Sequence, residues 1–295
     1  MRTLSVHLDD IALELGEAGA GGRPVLLLHG FTADRGEVAD VLGSLADRGW
    51  HAVAPDFRGH GGSDRPVDPG AYSFELMAAD VVALADHLGW ARYALVGHSM
   101  GGAVAQLVAL DQPERLTGLV LVSTFHGPVP GITMELVELG RWVVRESGMT
   151  GLADALAARR EEDPASITAF ERLQEARSGY AEASRARLED TSPDMWMALA
   201  PRFVDQSDRL ERLATLDLPT AVVVGEHDST MLDDCRRIAD TVPGATLTVI
   251  PAAGHVPQLE NPDAWWTALS GFLEGLVDPR PHAVPDRPNH PGTIG

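Results

Sequence analysis

The 295-residue chain contains no lysine: all 23 of its basic residues are arginine. This absence excludes reactions that need a lysine amine, such as Schiff-base catalysis, phosphate binding by a P-loop lysine, and a Ser-Lys dyad. Only one cysteine is present, Cys235, so no disulfide can form within the chain. We therefore expect a reducing compartment and a thiol without a catalytic role.

Positive charge is scarce, with 43 acidic residues against 23 basic ones and a formal net charge of −20 at pH 7. Such a chain is repelled by the phosphates of nucleic acids and of anionic membranes, which we exclude as partners. No segment reaches the about 20 consecutive apolar residues that a membrane helix needs. We expect a soluble, cytoplasmic protein whose partner is a small molecule. The composition leaves its oligomeric state open.

Two further patterns are missing. No cluster of Cys and His residues has the spacing of metal ligands, and no G-x-G-x-x-G motif follows a strand-like run. We therefore expect neither a metal nor a cofactor. Hydrophobic residues make up 44% of the chain, which suffices for the core of one main domain.

Residues 97–101 have the sequence Gly-His-Ser-Met-Gly and separate a strand-like apolar run from a helical pattern. A serine between two glycines at a strand-to-helix turn is typical of a nucleophile elbow, because glycine permits a turn too tight for a Cβ atom. Ser99 is therefore the candidate nucleophile. The backbone N–H of Met100, at the helix N-terminus, is a candidate donor to developing negative charge. Taken alone, the motif also fits an ordinary glycine-rich turn.

Two other chemically active residues follow predicted strands. Asp228 comes after the apolar run 220–224, and His255 comes after the run 245–250. Open α/β sheets place their sites at these strand ends. His255 can accept the serine proton near neutral pH, and Asp228 can orient the imidazole and stabilise its cation. The sequence thus predicts a catalytic triad of Ser99, Asp228 and His255, in an order that differs from those of chymotrypsin and subtilisin.

Two upstream motifs complete a recognisable pattern. The apolar run 24–28 ends in His-Gly-Phe at residues 29–31, and residues 56–64 contain D-x-R-G-H-G-x-S. Together with the elbow and the triad order, these motifs resemble the α/β-hydrolase family over about residues 4–276. The resemblance implies a mostly parallel, eight-stranded sheet with helices on both faces. It also implies a second oxyanion donor, the backbone N–H of Phe31.

The pattern along the chain predicts its organisation. Strand-like runs alternate with helical ones and occupy residues 4–8, 11–15, 25–28, 52–54, 93–96, 119–122, 220–224 and 245–250. The first two runs are expected to form an antiparallel pair. From 125 to 212 strand-like runs disappear, which predicts an inserted helical cap between two parts of the core, 1–124 and 213–277. Residues 278–295 are Pro-rich and predict an extended or disordered C-terminal extension.

The predicted cap is rich in aromatic and methionine side chains, which suit a mainly apolar substrate. Phe125, Trp142 and Trp196 are the candidate pocket residues of this segment, and Val256, beside the candidate base, is a fourth. Trp196 is the first choice, because methionines flank it on both sides. Packing of the cap on itself is the alternative role for each.

We expect a serine hydrolase that cleaves a carboxylic ester or lactone of a mainly apolar small molecule through an acyl-enzyme. The first motif block and Gly-His-Val-Pro at residues 254–257 are similar to enol-lactonases and small carboxylesterases. Dehalogenases and epoxide hydrolases of this family use an aspartate nucleophile, so Ser99 argues against both. C–C bond hydrolysis, perhydrolysis, a non-hydrolytic reaction or a ligand receptor with a retained hydrolase shell stay open. Asp205 and Glu226 are alternatives for the acid of the triad.

Overall fold

The structure is a computed structural model that describes residues 1–162, 171–174 and 177–276. Within these residues one sheet of eight strands forms the centre of the molecule. The strands are β1 (Arg2–His7), β2 (Ala12–Ala18), β3 (Arg23–Leu28), β4 (Trp50–Pro55), β5 (Tyr93–His98), β6 (Leu116–Val122), β7 (Thr220–Gly225) and β8 (Thr246–Ile250). The Pro-rich extension predicted at 278–295 lies outside the described residues.

The strand order across the sheet is β1-β2-β4-β3-β5-β6-β7-β8. Strand β2 runs antiparallel to both of its neighbours, and all pairs from β4 to β8 are parallel. The predicted antiparallel entry pair and the mostly parallel, eight-stranded sheet are confirmed. Because parallel strands end at the same edge of a sheet, the loops after β3, β5, β7 and β8 come together there.

Helices surround the sheet and fill the connection between β6 and β7. The labelled helices are α1 (Ala39–Ala46), α2 (Phe74–His87), α3 (Met100–Asp111), α4 (Met134–Glu162), α5 (Tyr180–Asp190), α6 (Pro193–Leu199), α7 (Arg202–Asp205), α8 (Leu210–Leu213), α9 (Leu232–Thr241), α10 (Pro257–Glu260) and α11 (Pro262–Gly275). Several of them begin where the sequence supplies a polar cap. The Ser73 hydroxyl accepts the Leu76 N–H at the start of α2, and the Asn261 side chain accepts the Ala264 N–H at the start of α11.

Alternation along the strands divides the core into two layers. Leu26 and Leu28 of β3 belong to an apolar cluster shared with α2, α3 and α9. Val25 and Leu27 belong to a second cluster on the opposite face, shared with α1 and α11. Since both faces of β3 are covered, its sequence is a continuous apolar run rather than an alternating one. The predicted helices on both faces of the sheet are confirmed by this packing.

The connection from β6 to β7 carries α4 to α8, and no strand occurs among its described residues. Helix α4 is interrupted at Gly148, whose φ of 67° is not helical. A small apolar cluster of its own, which includes Val144, Leu152 and Trp196, holds α4 against α6. The predicted domain boundaries of this segment stay a prediction. In the described part of the chain, no helix has both the length and the hydrophobicity needed to cross a membrane.

The loop after β4, which the sequence marks by its D-x-R-G-H-G-x-S motif, is fixed by buried charges. The Arg58 guanidinium donates to both carboxylate oxygens of Asp80, over 2.7 and 2.6 Å, and to the carbonyl of Ala71 over 2.8 Å. The Asp56 carboxylate accepts the backbone N–H groups of Arg35 and Gly62. These contacts are structural, since they tie the loop to helix α2 and to the loop after β3.

We predict that Asp80→Asn lowers the free energy of unfolding by about 3–5 kcal/mol, because it leaves the buried Arg58 cation without its counter-charge. Asp190→Asn is the matched control, since Asp190 pairs with Arg65 at the surface, with 66% of its side chain exposed. There we expect a loss of less than about 1 kcal/mol. Chemical denaturation of both variants measures the difference. Equal losses would show that the Arg58 pair does not stabilise the fold in this way.

Candidate active site

The backbone at Ser99 is held in an uncommon conformation between β5 and α3. Its φ is 52° and its ψ is −115°, a region that residues with a side chain rarely adopt. A Cβ atom on Gly97 would lie 2.3 Å from the carbonyl oxygen of Gly101, and one on Gly101 would lie 2.6 Å from that of His29. Both glycines are therefore required by the close approach of strand, helix and loop. Ser99 is the first residue after β5, at the carboxyl edge of the sheet.

The structure brings the three predicted catalytic side chains together. Nε2 of His255 lies 3.1 Å from Oγ of Ser99, and Nδ1 of His255 lies 3.0 Å from Oδ2 of Asp228. Asp228 follows β7 and His255 follows β8, so the topology of the sheet delivers each to the edge where Ser99 lies. This arrangement can relay a proton from the hydroxyl to the imidazole.

The alternative acids lie elsewhere. Asp205 is at the end of α7, where its carboxylate is near Arg202 and about half exposed. Glu226 accepts the N–H of Ala252 and lies 3.9 Å from His227. Neither residue contacts His255 in the structure, and Asp228 occupies the position that an orienting acid needs.

The charges of the triad shift each other's pKa values. Burial raises the pKa of Asp228, but the charge of His255 and its hydrogen bond outweigh burial, so the pKa of Asp228 is lowered overall. Partial burial lowers the pKa of His255, but the charge and hydrogen bond of Asp228 outweigh it and raise the pKa above 6.5. The more distant carboxylates of Glu37 and Glu260 act in the same direction. The Asp228 carboxylate therefore stabilises the protonated form of the His255 imidazole.

Among the residues that the structure describes, two backbone amides of the site have no hydrogen-bond acceptor. Met100 is the first residue of α3, where a helix leaves its N–H groups without an intrahelical partner. The N–H of Phe31 has no hydrogen-bond partner among the described residues. These are the two amides that the sequence analysis assigned to an oxyanion hole.

His29 fixes the orientation of the second amide, a role that sequence reasoning did not assign. Its Nε2 accepts the N–H of Phe57 over 3.0 Å, so the ring hydrogen is on Nδ1 and is donated to the carbonyl of Gly30 over 2.7 Å. The carbonyl and N–H of a trans peptide point in opposite directions. Holding the Gly30 carbonyl with His29 therefore directs the N–H of Phe31 away from the imidazole.

Two buried glutamates that carry no recognisable motif support the site loops. The Glu260 side chain, 1% exposed, accepts the N–H groups of Gly254 and Val256, which flank His255. The Glu37 side chain accepts the N–H of Gly30 over 2.8 Å and lies 3.0 Å from Nδ1 of His98. Burial raises the pKa of Glu37, but the charge and hydrogen bonding of His98 outweigh burial and lower it to about 2. Glu37 is thus an anion in the folded protein.

An apolar cavity of about 700 Å³ lies beside the candidate oxyanion loop. Most of its wall is formed by α4, and Phe31, Trp196 and Phe203 close it on the other side. Phe31 is therefore part of both the cavity wall and the loop next to Ser99. Trp196, the first candidate for the pocket, lines this cavity, and Phe203 is a wall residue that was not among the candidates.

The other pocket candidates are placed differently. Trp142 does not line the cavity: the residue is 56% exposed, because α4 turns Gly140 and Val143 toward the cavity and Trp142 away from it. A role of Trp142 in a substrate pocket stays a prediction. Phe125 is fully buried behind the wall, with its ring 5.6 Å from that of Phe203. Val256 lies beside His255 and outside this cavity.

The fold agrees with the comparisons to known proteins. A family model for the alpha/beta hydrolase fold matches residues 23–262, and the chain belongs to that family. No group of three or more His, Cys, Asp or Glu residues in the described chain is arranged to hold a metal ion.

Several relatives are similar over most of this chain. Epoxide hydrolase A of Mycobacterium tuberculosis is 37% identical and aligns with 92% of this chain and 97% of its own length. The 3-oxoadipate enol-lactonase 2 of Acinetobacter baylyi is 26% identical, with 90% of this chain and 94% of its own covered. Among solved structures, a thermophilic esterase from Thermogutta terrifontis is 30% identical, with a TM-score of 0.76 over 94% of this chain and 99% of its own. Hydrolase chemistry is the common feature of these relatives.

We predict that the His255 imidazole of the free protein titrates above 6.5, since Asp228 stabilises its cation. Asp228→Asn removes that charge, so the pKa of His255 is expected to fall relative to the wild type. Asp205→Asn is the control and should leave the pKa unchanged. NMR titration of the His255 ring proton measures all three values. A pKa that does not respond to Asp228→Asn would contradict the coupling.

Proposed function

We propose that this protein is a serine hydrolase that cleaves a carboxylic ester or lactone of a mainly apolar small molecule through an acyl-enzyme. The observation that carries the proposal is the hydrogen-bonded series Ser99, His255 and Asp228, with contacts of 3.1 and 3.0 Å, together with the backbone N–H groups of Phe31 and Met100, which have no acceptor in the described part of the chain. These parts are what acyl transfer requires: a nucleophile, a base held in place, and donors for the oxyanion.

The steps follow from the geometry. Ser99 Oγ attacks the carbonyl carbon while His255 Nε2 takes its proton, and the carbonyl oxygen becomes an oxyanion that the amides of Phe31 and Met100 stabilise. Collapse of this intermediate breaks the bond to the alcohol oxygen, which receives the proton from His255. Water then attacks the acyl-enzyme with His255 as base, and the acid and free Ser99 are released. Asp228 stabilises the imidazolium in both steps, formation of the acyl-enzyme and its hydrolysis.

Because one relative is an epoxide hydrolase, the identity of the nucleophile decides between two reactions, epoxide opening and acyl transfer. In the family, epoxide opening uses an aspartate, whose alkyl ester is hydrolysed at its carbonyl carbon. Opening of an epoxide by Ser99 would give an ether, which has no carbonyl carbon for water to attack. The serine at this position therefore supports acyl transfer, and it argues against turnover of epoxides despite the 37% identity.

The wall of the cavity supports an apolar substrate. Among its lining residues only Arg159 carries a formal charge, and aliphatic and aromatic side chains supply the rest. Because Phe31 belongs to both the cavity and the oxyanion loop, a carbonyl group at Ser99 would place one of its substituents against this wall. An ester or lactone with an apolar acyl chain fits both the apolar wall of the cavity and the polar groups around Ser99. The enol-lactonase and esterase relatives support the same class.

A fluorophosphonate probe tests the nucleophile. We expect it to label Ser99 alone, because labelling needs both the base and the oxyanion donors, and its phosphoryl oxygen occupies the oxyanion position. Peptide mass spectrometry maps the adduct, with Ser99→Ala as the unlabelled control. The absence of an adduct, or an adduct on Ser123 or Ser63, would refute the assignment.

Substrate selectivity tests the cavity. Trp196→Ala removes part of its wall, so KM for esters with long acyl chains should rise about 5- to 100-fold, which corresponds to about 1–3 kcal/mol of lost burial. Hydrolysis of an acetate ester should be nearly unchanged, because an acetyl group does not reach Trp196. The matched control is Trp142→Ala, which removes an exposed indole outside the cavity. An equal effect of Trp196→Ala on all chain lengths would contradict the role of the cavity.

A further inference from the structure

A continuous series of contacts connects three loops of the site through one buried Glu-His pair. The N–H of Gly30 donates to Oε2 of Glu37 over 2.8 Å, and Oε1 of Glu37 lies 3.0 Å from Nδ1 of His98. Nε2 of His98 lies 2.7 Å from the carbonyl oxygen of His255. The series begins in the loop of the candidate oxyanion hole, passes through the residue before Ser99 and ends at the candidate base.

The two nitrogens of His98 have different partners. The carbonyl of His255 can only accept, so Nε2 of His98 carries a hydrogen and donates it. Nδ1 of His98 is in ion-pair contact with the Glu37 carboxylate at 3.0 Å, without the geometry of a hydrogen bond. Their side chains are 5% and 9% exposed. Burying such a pair is costly compared with apolar packing, so its presence calls for a role other than stability.

We propose that Glu37 and His98 form a positioning bridge that sets the oxyanion loop and the His255 loop at a fixed separation around Ser99. The inference rests on the proposed function, since it assigns the bridge a role in that reaction. Neither residue touches the reacting atoms. His98 acts through the backbone of His255, and Glu37 acts through the backbone of Gly30, the residue before Phe31.

The bridge therefore fixes the positions of two groups, the N–H of Phe31 and the ring of His255, relative to each other. On one side, Glu37 holds the N–H of Gly30 and so fixes the peptide before Gly30, while His29 holds the carbonyl of Gly30 and so fixes the next peptide, which carries the N–H of Phe31. On the other side, His98 holds the carbonyl of His255, whose ring must reach Ser99. A misplacement of about 1 Å in such a site costs about 100-fold in rate. Loss of either half of the bridge should therefore lower kcat.

The chain offers a matched control. Glu17 of β2 and His51 of β4 form another buried Glu-His pair, with 2.6 Å between Oε1 and Nε2 and side chains 6% and 11% exposed. This pair connects two strands and contacts none of the site loops. Its removal reproduces the loss of a buried ion pair without touching the oxyanion loop or His255.

The first measurement is steady-state hydrolysis of a short ester by Glu37→Ala, His98→Ala and the double variant, with thermal unfolding of each. We expect each single variant to lower kcat by about tenfold or more with little change in KM. The double variant should lose no more than the worse single one, because both residues belong to one bridge. Glu17→Ala and His51→Ala should keep kcat even where they lower the unfolding temperature.

The variant Glu37→Gln tests whether the bridge needs the charge of Glu37 or only its hydrogen bonds. Its amide oxygen can accept the N–H of Gly30, and its NH₂ can donate to Nδ1 of a neutral His98, which still donates from Nε2 to the carbonyl of His255. We expect this variant to keep most of the wild-type kcat. It also tests the bridge if Glu37→Ala fails to fold. A strong loss of kcat in Glu37→Gln together with normal kcat in His98→Ala would overturn the bridge.

The second measurement does not need turnover. Hydrogen–deuterium exchange of the intact protein should show faster exchange in both site loops, 29–33 and 252–256, in Glu37→Ala and in His98→Ala alike. Faster exchange only beside the substituted residue would overturn the bridge, as would single-variant losses of kcat that multiply in the double variant. An inactive wild type would refute the proposed function, whereas the exchange result would still decide whether the bridge exists.

Discussion

The close approach of backbone to backbone at the nucleophile elbow is the constraint on which the site depends. Strand β5, helix α3 and the loop after β3 meet there at distances that exclude a Cβ at Gly97 and Gly101. The uncommon conformation of Ser99 is held from the neighbouring strand, since its N–H donates to the carbonyl of Val122 and its carbonyl accepts the Thr124 hydroxyl. Strain at this residue is therefore maintained by the packed centre of the sheet.

Negative charge around the candidate base is the second organising feature. Asp228 contacts the His255 ring directly, whereas Glu37 and Glu260 act on it from a distance while they hold the backbone of the surrounding loops. All three raise the pKa of His255 and so favour its imidazolium form. Glu37 and Glu260 thus have two effects here, because they hold the loop backbone through its N–H groups and also raise the pKa of His255.

The helices between β6 and β7 supply an apolar wall, which the edge of the sheet does not provide. Helix α4 provides most of it, and α6 contributes Trp196. The sheet edge itself offers backbone amides and polar side chains, which suit the reacting carbonyl group. In the proposed function, substrate selectivity and chemistry belong to separate parts of the chain, and Phe31 belongs to both the cavity wall and the loop after β3.

The sequence alone determined the sheet, its mostly parallel order and the candidate triad. Continuous apolar runs define strands covered on both faces, and glycine spacing together with residue type identifies an elbow and its partners. Only the tertiary structure showed the contacts of Glu37, His98 and Glu260 with the site loops, since a glutamate that accepts a hydrogen bond from an amide several residues away has no local sequence signature. The same limit applies to Trp142 and Trp196, both indoles in the predicted cap. Which of them faces the cavity depends on how α4 and α6 pack, and that packing is set by contacts far apart in the chain.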